Sequence, residues 1–198
     1  MYNKPTPRLL IGCTFLIILA CAISTLLYQF ELLPPKVISF GSEYGTSASS
    51  TLYPVGVALT VISFLFWLAC SAVGLKKKWN IPAIAGCLIL TITEALASYN
   101  SIQTLTASNV YLLMDAQRMN FGVVGLIVNA VMPLLAYFLL IIKADASKAE
   151  KGIAGLYFII FAIASLYLSF SPWFVAVRAI CAAGLMAVFF VHPTKQTA

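Results

Sequence analysis

Charge is scarce in this chain. Of 198 residues only 9% are Asp, Glu, Lys or Arg and 62% are hydrophobic, whereas an ordinary soluble domain carries about 25% charged residues. That excludes a globule stable in water and makes the bilayer the solvent. Histidine is nearly absent. The one copy, His192, lies near the C-terminus, which excludes a bis-histidine haem site, an HExxH zinc motif and a Ser-His-Asp arrangement within the apolar region. No GxSxG, no glycine-rich phosphate loop and no Walker pattern occurs. The five cysteines, Cys13, Cys21, Cys70, Cys87 and Cys181, all lie in apolar runs without a CxxC spacing. They read as small packing residues, not as a disulfide framework or metal ligands, and no cofactor is expected. Long polar stretches are missing too. Six spans of about 20 residues use roughly 120 of the chain, leaving no room for a separate soluble domain.

The apolar runs are separated by basic residues. Lys76-Lys77-Lys78 followed by Trp79 stands between two of them. A triple lysine cannot enter hydrocarbon, so it ends one span and starts the next, with Trp79 at the position of an interfacial anchor. The pattern predicts an all-α polytopic bundle of six transmembrane helices over 9–30, 53–74, 81–101, 121–142, 152–170 and 174–191. With the N-terminus inside, Lys4, Arg8, Lys76, Lys77, Lys78, Lys143, Lys148, Lys151 and Lys195 are cytoplasmic, and only Lys36 and Arg118 lie outside. This bias predicts that both termini are cytoplasmic. The net charge of +6 then reflects orientation and contact with anionic lipid head groups, not nucleic acid. Membrane lipids, and other membrane proteins or further copies of the chain, are the expected partners.

The first run has a charged start, and Ile18-Leu19-Ala20-Cys21 resembles a lipoprotein cleavage box. It continues well past Cys21, longer than a signal core of 7–15 residues, and reads as a span. The outer connection, 31–52, has Pro34-Pro35 to stop the helix, then Gly41, Gly45 and a Ser/Thr run. It reads as turn and loop, with Val37, Ile38 and Phe40 able to fold it back onto the membrane. Residues 109–120 read as an interfacial helix or an outward extension of the fourth span, with Asp115 and Arg118 three apart on one face and able to pair. Pro133 cannot donate to the Asn129 carbonyl and should kink the fourth span there.

Glu94 and Arg178 are the ionisable residues expected inside hydrocarbon. An isolated charge there costs about 2.5–3.5 kcal/mol on insertion scales, so such residues face the bundle and find partners. Counting from the outer ends of their spans places both roughly 8–10 Å deep. The expectation is a Glu94–Arg178 ion pair with Ser98, Tyr99, Asn129 and Asn120 near it. Three roles are open: an ion pair that only fixes packing, a polar pocket opening outward, or an Arg178 that snorkels.

The stretch Leu33-Pro34-Pro35-Lys36-Val37-Ile38-Ser39 with Gly41, Gly45 and Ser50, ahead of a new span at Tyr53, resembles the region after the first helix in the DRAM family of six-helix membrane proteins. Other bacterial six-helix families share this look. The chain departs from the DRAM pattern at Phe40, where the family has an acidic residue, and it lacks the family's histidine near the start of the fourth helix. The resemblance implies a non-enzymatic role in membrane or lipid organisation. The functional expectation is therefore a multi-pass protein that binds a lipid or small amphiphile or scaffolds a complex. The alternatives are a small-solute transporter or channel component using the Glu94/Arg178 level and a lipid-modifying enzyme.

Overall fold

The computed structural model describes residues 2–41, 45, 47–118, 122–168 and 171–191. Asn120, Phe121, His192 and Lys195 lie outside them. Six helical stretches are each long and apolar enough to cross a membrane: Arg8–Gln29, Pro54–Lys77, Ile81–Thr106, Val123–Ile142, Lys148–Leu168 and Pro172–Val191. The elements are α1 (Arg8–Gln29), β1 (Lys36–Gly41), β2 (Ser47–Leu52), α2 (Pro54–Lys77), α3 (Ile81–Thr106), α4 (Val110–Arg118), α5 (Gly122–Leu126), α6 (Met132–Ile142), α7 (Lys148–Leu168) and α8 (Pro172–Val191). A π-helical turn, Ile127–Val131, joins α5 to α6. The spanning helices form a ring in sequence order, which α8 closes by packing along α1.

Proline at the first or second helical position starts α2 and α3, where its missing N–H costs nothing. The lysine cluster ends α2 later than expected. Lys76 and Lys77 form its last turn, and Lys78 is the left-handed cap at φ 57°. Trp79 N–H and Lys78 N–H return to the carbonyls of Gly74 and Leu75, the two bonds of a Schellman ending. The Trp79 ring fills the space above Gly74, 2.8 Å from where a Cβ would stand. Trp79 is therefore 7% exposed and belongs to the core instead of anchoring the rim. Helix α7 starts earlier than expected, because Ser147 and Glu150 form a complete capping box: Ser147 N–H donates to Glu150 Oε2 at 2.8 Å and Glu150 N–H to Ser147 Oγ at 3.2 Å.

The connection between the first two spans is not a plain loop. β1 and β2 pair antiparallel, Ile38 opposite Ser50 and Phe40 opposite Ala48. The hairpin rests on α4 and the end of α3. Helix α4 buries Val110, Leu113 and Ala116, which lie three residues apart on one face. This is the hairpin end of the bundle.

At the opposite, basic end, residues 2–7 run as a strap between two turns. Lys4 N–H bonds Lys78 O at 3.3 Å, and Asn80 N–H bonds Lys4 O at 2.8 Å. On the other side Thr6 N–H bonds Lys143 O at 2.9 Å, and Asp145 N–H bonds Thr6 O at 2.9 Å. Asn80 caps α3 through Ala83 N–H while its amide donates to Lys4 O and Thr6 Oγ1. Beside the strap, Arg8 holds Glu150 with two bonds of 3.0 and 2.6 Å and donates to Val188 O at 2.7 Å. Its guanidinium also lies 5.1 Å from the centre of the Phe189 ring.

Candidate functional site

Above the basic end lies an aromatic layer. Phe15 on α1 stacks on Phe158 at 5.3 Å and on Phe189 at 5.9 Å, and meets Tyr157 edge-on. Tyr137 stacks on Phe158 at 4.4 Å. These rings join α1, α6, α7 and α8 and fill the interior on that side.

A cavity of about 270 Å³ opens next to this layer. Glu94 from α3, Arg178 from α8, Asn129 from the π turn and Cys21 from α1 line it, with Tyr137, Tyr157, Phe158 and Phe161 as apolar wall. Glu94, Cys21, Asn129 and Arg178 each stand thirteen residues from the basic-end terminus of their span, about 20 Å up at 1.5 Å per residue. The common level expected for Glu94 and Arg178 is thus a common chamber. The expected ion pair is not formed. Among the described residues the ion pairs are Arg8–Glu150 and Asp115–Arg118. Glu94 instead lies beside the buried Ser63 hydroxyl of α2. The Arg178 backbone carbonyl accepts from Tyr157 Oη at 3.4 Å, and among the described residues its buried Nε has no partner. The two side chains come from helices on different sides of the ring and both line the chamber.

The π turn explains how Asn129 arrives there. An α pattern would pair the Asn129 carbonyl with the N–H that Pro133 lacks. The turn widens just before it, with Met132 N–H bonding Ile127 O, and wide turns of this kind re-aim side chains at functional sites. Asn129, Pro133 and Tyr137 then fall in one stripe on the chamber.

A second cavity of about 350 Å³ lies toward the hairpin end and shares Cys21 with the first. Ser24, Thr25 and Tyr28 of α1, Ser50 and Thr51 of β2, Thr60 of α2, and Asn100, Ser101 and Thr104 of α3 supply its polar wall. Tyr28 Oη accepts from Val55 N–H at 3.0 Å and its ring meets Tyr53, which fastens α1 to the start of α2. One interior face of α1 and one of α3 thus run from this vestibule into the chamber.

Other expected residues lie elsewhere. Tyr99 is 58% exposed on the outer face of α3. It is five positions from Glu94, which turns it about 140° away on a helix. Ser98 is buried but lines neither cavity. Asn120 lies outside the described residues. Asp115 and Arg118 pair at 3.2 Å on α4, 61% and 81% exposed, away from both cavities. The sequence reading missed Cys21 and the aromatic wall. The signal was Tyr157, Phe161 and Ser165 at four-residue spacing. All five cysteines are free thiols, and no cluster of three metal-ligating side chains occurs among the described residues. Comparison with protein-family models, with curated proteins and with solved structures finds no match.

Proposed function

We propose that this multi-pass membrane protein receives a small polar or amphiphilic solute at the Glu94–Arg178 level, reached from the hairpin end. The observation that carries the reading is two oppositely charged side chains on one interior chamber without an ion pair between them. A pair retained only to fix packing would sit in direct contact, because an uncompensated charge in a low-dielectric interior costs several kcal/mol. Charges held apart across a chamber suit a guest that supplies the missing contacts. A scaffold would have a filled interior at this level. The lysine bias supports a cytoplasmic basic end and hence a vestibule facing outward. A role in membrane organisation, as the DRAM resemblance implies, would use the same chamber for an amphiphile.

The test is thiol accessibility in proteoliposomes. Cys21 lines both cavities, while Cys181 is also exposed but lines neither, so lipid should cover it. A charged, membrane-impermeant methanethiosulfonate applied from the hairpin side should modify Cys21 and spare Cys181, read by peptide mass spectrometry. An inert Cys21 would mean that water and solutes do not reach the chamber, and the proposal would fall.

A further inference from the structure

We infer that the guest is a small zwitterion, a molecule with one cationic and one anionic group on a compact body. This rests on the interior-site reading above. Among the described residues Glu94 and Arg178 are the formally charged side chains of the chamber, so its net charge is zero when both are ionised. The two do not neutralise each other by contact. A simple anion would satisfy Arg178 and leave the chamber with an excess negative charge. A simple cation would do the reverse. Burying net charge in a poorly polarisable interior is costly. A zwitterion gives each wall its counter-charge and adds no net charge.

The rest of the chamber fits such a molecule. Tyr137, Tyr157, Phe158 and Phe161 offer ring surface between the charged walls, and Thr93, Asn129 and Ser165 add neutral polar groups. The buried Arg178 Nε without a partner is a donor that an anionic group would occupy. The volume of about 270 Å³ equals that of about nine molecules of liquid water, which suits a guest of amino-acid size. The approach is also matched. Among the described residues the vestibule lining has hydroxyls, the Asn100 amide and no ionisable carboxylate or cation, so it hydrates both ends of a dipolar guest and retains neither sign.

Two matched series test this on the full chain in lipid nanodiscs: L-phenylalanine, phenethylamine and 3-phenylpropionate, and 4-aminobutyrate, propylamine and butyrate. Within a series the body is constant and only the charged groups change. Calorimetric titration should show the zwitterion of at least one series binding tenfold or more tighter than both single-charge partners. Glu94→Gln should shift the preference to the anion and Arg178→Gln to the cation, a reversal that loss of helix packing alone does not produce. If those variants fail to fold, the wild-type ranking decides. A single-charge probe binding as tightly as its zwitterion, or no binding in either series, would overturn the inference. If Cys21 is nonetheless modified from the hairpin side, the interior site stands and only the guest is wrong; if Cys21 is inert too, both fall.

Discussion

Replacing Arg8 by alanine separates a fastened basic end from a merely solvated one. The substitution removes bonds of 3.0 and 2.6 Å to Glu150, one of 2.7 Å to Val188 O, and the guanidinium above Phe189. The paired side chains are only 10% and 19% exposed. Removing one partner of a buried pair costs about 3–5 kcal/mol, much of it from the charge left behind. Here the abandoned carboxylate keeps Ser147 N–H at 2.8 Å and stands at the end of the bundle, where water can reach it. The lower limit applies, about 3 kcal/mol. For a chain of this size that corresponds to a fall of about 6–12 °C in Tm. An arginine that only lies in solvent at the basic end would cost within about 0.5 kcal/mol. Reversible unfolding in mixed micelles measures the difference, and Glu150→Gln completes a double-mutant cycle while keeping a residue that can serve the capping box. A coupling of at least about 1 kcal/mol is expected. An Arg8→Ala variant within about 0.5 kcal/mol of wild type, or zero coupling, would refute the reasoning.

Gly86→Ala should cost about 1–3 kcal/mol, because a Cβ there would lie 2.8 Å from the Ala136 carbonyl oxygen, where α3 meets α6. Gly184→Ala, with nothing within 4 Å, should be neutral or slightly stabilising in the same unfolding assay. Asn80→Ala removes the α3 cap and two tethers of the strap. It should cost about 1–3 kcal/mol and speed hydrogen exchange at the amides of Thr6 and Asp145, as mass spectrometry of backbone deuteration would show. Asp115→Ala breaks a pair that is largely in solvent and should shift stability by less than about 0.5 kcal/mol; a larger loss would mean that α4 sits in a drier place than its exposure suggests.

The six spans could be read from the residues because hydropathy is a local property, and each run of about 20 apolar residues declares itself without its neighbours. The strap could not. Four of its bonds join backbone groups of Lys4 and Thr6 to those of Lys78, Asn80, Lys143 and Asp145, and backbone groups carry no side-chain signature. Arg8 and Glu150 are 142 positions apart, and nothing local joins them, although the Ser147–Glu150 capping spacing was there to be seen. The hairpin was obscured because β2 is mostly Ser and Thr, a composition shared with loops. At the site, depth counting placed Glu94 and Arg178 on one level. It could not tell that the two line a chamber without forming an ion pair, since distance across a ring depends on which helices are neighbours. Helical phase would have removed Tyr99 at once and admitted Tyr137 beside Asn129.

Closure of the ring by α8 on α1 has a consequence for how the protein is made. Arg8 donates to Val188, 180 residues later, and the Phe190 ring covers Gly12. At about 5–20 residues per second, a ribosome needs roughly 9–36 s to deliver the second surface after the first. Throughout that interval the newborn opening helix waits in the translocon's surroundings with its mating face bare, so holding it there falls to insertion factors or to lipid.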